Sequence, residues 1–159
     1  MYRAWVITVS DRCSDGERED VSGKVLKEAL LDKGYLVSYT LLPDEAGAIA
    51  QKLRFIADNG LAELVVTTGG TGCSSRDVTP EATLEVADKE VPGIAEAIRA
   101  ESLKKTPHAM LSRARAVIRK GTLIINLPGS PKGALESLEV FIDVIPHALE
   151  LLKGIKADG

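Results

Sequence analysis

The chain has 159 residues, 45% of them hydrophobic and 27% charged, with a formal net charge of −3. That length fits one domain, residues 1–159, large enough to bury a sizeable core. The composition is globular, and the mild acidity argues against nucleic acid as a partner, which needs a basic face. No apolar run approaches the ~20 residues of a membrane span, so no membrane partner is expected. Two cysteines, Cys13 and Cys73, are too few for a four-thiolate zinc site or a disulfide framework. They read as incidental reduced thiols of a cytoplasmic protein.

The opening "MYRAWVITVSDR" has a short apolar run and no cleavage pattern, so it reads as a first strand over 4–10 and not as a signal peptide. Nearly continuous β-branched residues mark a buried parallel strand. The polar "DRCSDGEREDVSG" then predicts a long loop, and loops of that length inside a compact domain usually serve function. "VSGKVLKEALLDKGY" places Val21, Val25, Leu26, Ala29 and Leu30 on one helical face, with Gly34 at the C-terminal cap. "YLVSYTLL" (35–42) reads as a second strand. In "PDEAGAIAQKLRFIADNG" Asp44 is placed to cap a second helix, Ile49, Leu53 and Ile56 face inward, and Gly60 ends it.

"AELVVTT" (62–68) reads as a third strand, and three glycines in four positions follow it. Glycine clusters cost backbone entropy and serve sharp turns or a close approach of backbone to ligand. Thr79-Pro80-Glu81 then opens a helix, with Thr at the cap and Pro in the first turn. Residues 92–105 predict another helix, and 115–129 two short strands joined at Lys120-Gly121. "SPKGALESLEVFIDVIPHALELLKG" gives a last helix or a pair broken at Pro146. The order predicts a three-layer α/β/α fold with a largely parallel, mixed central sheet.

In such sheets ligands bind beyond the carboxyl ends of the strands. Those ends are Ser10-Asp11-Arg12, Pro43-Asp44-Glu45, the loop from Gly69 to Asp77, and Pro128-Gly129-Ser130-Pro131-Lys132. Together they offer glycine amides, hydroxyls, carboxylates and cations. That mixture suits a phosphate-bearing ligand with Mg2+. Plainer roles compete: Asp44 as a helix cap, Asp77 at the positive end of a helix, Ser130-Pro131 as cap and first turn, and Arg113 and Arg115 as solvated charges. No lysine follows the glycines as a P-loop demands, and the dinucleotide fingerprint lacks its third glycine. His108 and His147 have no serine or cysteine motif around them, which speaks against a hydrolase triad. Spacing alone supports an α/β domain for a phosphorylated small molecule or nucleotide.

The run "TTGGTG", three residues, then "RDVTPEA" (67–82) resembles the signature of the molybdopterin adenylyltransferase family, the MogA/MoaB-like proteins and the gephyrin G domain. "VITVSDRC" with "DVSG", "LLPDE", "TPHAMLSRA", "IRKGTLIINLPGSPKG" and "PHALELL" follow in the family's order, so the resemblance covers essentially the whole chain. It implies a molybdopterin-binding-like fold and molybdenum cofactor biosynthesis. Molybdopterin and Mg-ATP would be substrates, adenylylated molybdopterin and pyrophosphate products. It implies Asp77 and Asp44 as catalytic residues and Mg2+ holders. Gly69, Gly70, Thr71 and Gly72 would cradle nucleotide phosphates, with Ser10 and Asp11 shaping the pocket. Pro128, Gly129, Ser130 and Lys132 would form a second ligand loop, with Ser112 and Arg113 on the pterin side. It further implies hand-over to a molybdenum-insertion enzyme and a homotrimer or a hexamer. The rivals are a binding member without catalysis and a scaffold module. An insertion domain belongs to longer chains, and a flavodoxin-like domain would carry its phosphate loop after the first strand.

Overall fold

The structure is a computed structural model in which residues 1–154 are described. Six strands form one sheet in the order β2-β1-β3-β6-β5-β4. They are β1 (Arg3–Val9), β2 (Leu36–Leu42), β3 (Leu64–Thr68), β4 (Lys89–Glu90), β5 (Ala116–Arg119) and β6 (Thr122–Leu127). β2, β1, β3 and β6 run parallel, whereas β5 is antiparallel to both β6 and β4. The mixed, largely parallel sheet expected from the alternation of elements is therefore present.

Period-two alternation sends neighbouring strand residues to opposite faces. Val6, Val66 and Ile125 meet Leu26 and Leu30 of α2 (Val21–Asp32), Leu138 of α6 (Pro131–Phe141) and Leu149 of α7 (Ile145–Leu152). Ile7, Val65 and Ile124 meet Ile49, Leu53 and Ile56 of α3 (Ala46–Asp58) and Val86 of α4 (Thr79–Val86). α5 (Pro92–Leu103) joins the first layer through Ile98. All residues of β3 and β6 are buried, as central strands covered on both faces require.

Several local expectations change. The polar loop after β1 begins with a helical turn, α1 (Asp11–Ser14), capped by Ser10 accepting from the Cys13 amide at 3.2 Å. Val21 is exposed and not in the core, because α2 starts there beside a recess. Thr79 is not the cap of α4; that place falls to Val78, and Thr79 is fully buried. The final pair of helices breaks over a 3-10 turn, Ile142–Val144, and Pro146 lies in the first turn of α7. The short edge strand β4 and a 3-10 turn at Pro107–Leu111 had no clear signal in the sequence.

Candidate active site

The ends of the four parallel strands are tied to one another by backbone bonds. The Ser10 amide donates to the Leu42 carbonyl at 2.9 Å, and the Gly69 amide to the Leu127 carbonyl at 3.2 Å. Thr68 Oγ1 donates to the Pro128 carbonyl at 2.6 Å, and Ser22 Oγ to the Gly129 carbonyl at 2.5 Å. Two recesses open along this edge. The larger, about 600 Å3, is bordered by Ser10, Asp44, Gly69, Gly70, Asp77 and Gly129 among others. The smaller, about 320 Å3, is bordered by Thr71, Gly72, Ser112 and Pro128, with Arg99, Lys105 and His108 beyond them. Ser130 borders both. The glycine loop is thus a partition, two of its residues in each recess.

The loop is built for close approach. Gly69 and Gly70 have φ of +103° and +69°, a region that costs L-residues strain. A Cβ on Gly69 would overlap the Val9 carbonyl, and one on Gly70 would overlap Thr79 Oγ1. Each loop carbonyl is held from one side. Gly69 O accepts from Thr79 Oγ1 at 3.0 Å and Gly70 O from the Thr79 amide at 3.1 Å. Thr71 O accepts from the Arg113 amide at 2.9 Å and Gly72 O from Arg113 Nε at 2.7 Å. Among the described residues, the amides of Gly70, Thr71, Gly72 and Cys73 donate to no protein group. A row of amides without protein acceptors is of the kind that can receive an anion.

The carboxylates divide into bound and available. Asp20 caps α2 through the Gly23 amide at 2.9 Å and also accepts from the Tyr39 hydroxyl, so both its oxygens are used. Burial, and then the bond to Asp20, push the Tyr39 hydroxyl up to about 12. Asp11 accepts from Arg76 at 2.9 and 3.0 Å and from the Asp44 amide at 2.9 Å. The Arg76 bonds, then the Asp44 amide, hold the Asp11 carboxyl below its usual range. Asp44 Oδ2 accepts from the Asp11 amide at 2.9 Å, and Asp77 Oδ2 from the Ser74 amide at 2.9 Å. Oδ1 of each of these two has no protein partner among the described residues. Asp44 is raised above the usual carboxylate range by burial first, and by the charges of Asp11 and Asp77.

Three expected site residues sit elsewhere. Asp11 borders neither recess; its carboxylate braces Asp44 and Arg76. Arg113 is half-exposed but not a free solvated charge, and it borders neither recess; its guanidinium binds Gly72 O, Asp77 O at 2.7 Å and Glu81 Oε2 at 2.5 Å. Lys132 points to solvent near Glu136 and borders neither recess. Asp44 does not cap α3, whose capping residue is Glu45. Ser130 does cap α6, accepting from the Gly133 amide at 3.1 Å.

Sequence reading also missed Asn126, fully buried in β6. It donates to Thr67 Oγ1 at 3.0 Å and Thr83 Oγ1 at 2.9 Å, and Thr83 donates to the Thr79 carbonyl at 2.8 Å. The only hint was an amide inside the apolar run "TLIINL". The network supports Thr79 from beneath the loop.

An α/β sheet with a glycine partition and two aspartates at its carboxyl edge has its candidate site where open α/β sheets bind ligands, with loop amides of a kind that suits anions. Residues 5–147 match the family described as probable molybdopterin binding domain. The chain is 46% identical to a molybdopterin adenylyltransferase of Helicobacter pylori J99, over 94% of this chain and 86% of the relative. It is 42% identical to the Escherichia coli K12 molybdopterin adenylyltransferase, over 96% and 86%. Its fold superposes on the molybdopterin biosynthesis enzyme MoaB of Thermus thermophilus with a TM-score of 0.89 and 50% identity, covering 97% and 98%. The chain belongs to the probable molybdopterin-binding domain family.

Proposed function

We propose that residues 1–159 form a single molybdopterin adenylyltransferase domain of molybdenum cofactor biosynthesis. The observation that carries the reading is the partition: two recesses on either side of one loop whose four consecutive amides have no acceptor among the described residues. ATP occupies the larger recess and molybdopterin the smaller, with their phosphates meeting at Gly69, Gly70, Thr71 and Gly72. An oxygen of the terminal molybdopterin phosphate attacks the α-phosphorus of ATP. A new P–O–P bond forms, the bond to the β-phosphate breaks, and pyrophosphate leaves with that electron pair. The nucleophile is already anionic, so alignment and charge compensation do the catalytic work rather than proton abstraction.

The larger recess is itself acidic on balance, bordered by Glu19, Asp20, Asp44 and Asp77 against one cation, Arg18. A bare polyphosphate would be repelled there, and the free oxygens of Asp44 and Asp77 fit a hard cation. Among the described residues no group of three or more His, Cys, Asp or Glu side chains converges as a metal cage. Mg2+ needs none, since it takes one or two carboxylates and completes its shell with phosphates and water. Asp77 and Asp44 would hold it, and the ion would supply neutralisation of phosphate charge.

Among the described residues no helix is long and apolar enough to cross a membrane. Cytoplasmic placement, a homotrimer or hexamer, and delivery of the product to a molybdenum-insertion enzyme complete the proposal. Its test is positional. With molybdopterin present, label from the α-phosphate of ATP should appear on the pterin and label from the γ-phosphate in pyrophosphate. Binding of both substrates with no label transfer would replace it with a binding domain without catalysis.

A further inference from the structure

We infer that Arg113 and Thr79 are positioning residues that set the direction of the glycine-loop amides, Arg113 acting on the loop rather than on the pterin. The inference rests on the adenylyl-transfer reading and names the groups that prepare its phosphate cradle. In a trans peptide the C=O and the next N–H point in opposite directions. Holding a carbonyl therefore aims an amide. Thr79 holds Gly69 O and Gly70 O through its hydroxyl and its amide, which turns the amides of Gly70 and Thr71 the other way. Arg113 holds Thr71 O and Gly72 O through its amide and Nε, which turns the amides of Gly72 and Cys73 the other way. Neither Thr79 nor Arg113 borders a recess, whereas Gly69 and Gly70 border one and Thr71 and Gly72 the other. The carbonyls thus face away from the ligand space and the amides toward it.

The two clamps are themselves anchored. Arg113 also reaches the Asp77 carbonyl at 2.7 Å, which ties the clamp to the aspartate at the loop's far end. Its third nitrogen, Nη1, is fixed by Glu81, in the first turn of α4. Thr79 stands on the buried Asn126–Thr83 network. A planar guanidinium suits the first task, because it presents several donors in fixed directions, which a lysine ammonium cannot do.

The test compares Thr79→Val, Thr79→Ser, Arg113→Gln and Arg113→Lys with wild type, using inorganic pyrophosphate as the binding probe and adenylyl transfer as the activity. Thr79→Val keeps the shape and loses the hydroxyl. Thr79→Ser keeps the hydroxyl and leaves a small void in the core. The inference predicts Thr79→Ser within about threefold of wild-type kcat despite a lower Tm, and Thr79→Val down at least tenfold with its Tm closer to wild type. A merely structural role would rank both by stability. Arg113→Gln and Arg113→Lys should each lose at least tenfold in kcat and in pyrophosphate affinity. In protein labelled with 15N-glycine and 15N-cysteine, pyrophosphate should shift the Gly70 and Cys73 amides in wild type; the Gly70 shift should vanish in Thr79→Val and the Cys73 shift in Arg113→Gln, whereas the Gly72 amide, aimed through the Arg113 backbone N–H, should keep its shift. Variants that keep wild-type kcat, affinity and amide shifts would overturn the clamp while leaving the reaction intact. A wild type that binds pyrophosphate through these amides yet transfers nothing would overturn the reaction and leave the clamp standing.

Discussion

Asp11 and Asp44, 33 residues apart, hold each other: the carboxylate of each accepts the backbone N–H of the other, both at 2.9 Å. This reciprocal bond joins the end of β1 to the end of β2 and fixes one oxygen of Asp44. The other oxygen lies beside Gly70 and has no partner among the described residues. Position and charge at Asp44 can therefore be separated. Asp44→Asn keeps an acceptor for the Asp11 amide and loses the charge. It should retain Tm within a few degrees and need more Mg2+ for half-maximal transfer. Asp44→Ala should in addition lose about 1–2 kcal/mol of stability, because the Asp11 amide loses its acceptor. Thermal unfolding and Mg2+ titration of activity read the two effects.

The glycine loop makes a stability prediction. Gly69→Ala places a Cβ against the Val9 carbonyl at a φ of +103°. The strain should cost about 1–3 kcal/mol, a fall of several degrees in Tm. Gly121→Ala, where an added Cβ meets nothing within 4 Å, should be close to neutral by the same measurement.

Asn126 is the sequence's least advertised structural residue. Asn126→Ala would strip the Arg115 amide of its acceptor, 3.1 Å away, and Thr67 and Thr83 of a donor in a fully buried place. Urea unfolding should show a loss of about 2–3 kcal/mol.

Acid stability has a local source at the start of the sheet. Burial alone would raise Glu63, yet the Arg3 side chain and the Arg3 amide, which donates at 2.9 Å, outweigh it and hold the carboxyl below its ordinary value. A carboxyl depressed in the folded state contributes stability above its unfolded pKa of about 4.3. That contribution fades as pH falls through the lower folded value. Glu63→Gln should therefore be less stable than wild type at neutral pH, with the gap narrowing toward pH 3 in urea unfolding.

Much of this was legible in the residues. The strand–helix alternation gave the layers, and the convergence of four strand ends gave the place of the site. Asp44, Gly69, Gly70 and Asp77 do meet there. What stayed hidden were partners far apart in the chain. Asp44 looks like a cap of the helix that follows it, but its carboxylate turns to Asp11, a choice only the neighbouring strand can make. Thr79 has the local features of a cap, yet it supports a carbonyl ten residues back. Arg113 reads as a solvated charge because the loop that it holds lies 36 to 41 residues away. β4, with two exposed residues, owes its pairing to β5 and carries no periodicity of its own.

The central claim is the transfer of AMP, and its most direct test pairs wild type with Asp77→Ala. Each is incubated with molybdopterin and Mg-ATP, and adenylylated molybdopterin and pyrophosphate are quantified. The account predicts both products in equal amounts from wild type, and a rate lower by a factor on the order of 10² for the variant at unchanged fold. A folded wild type that binds molybdopterin and forms neither product would contradict it.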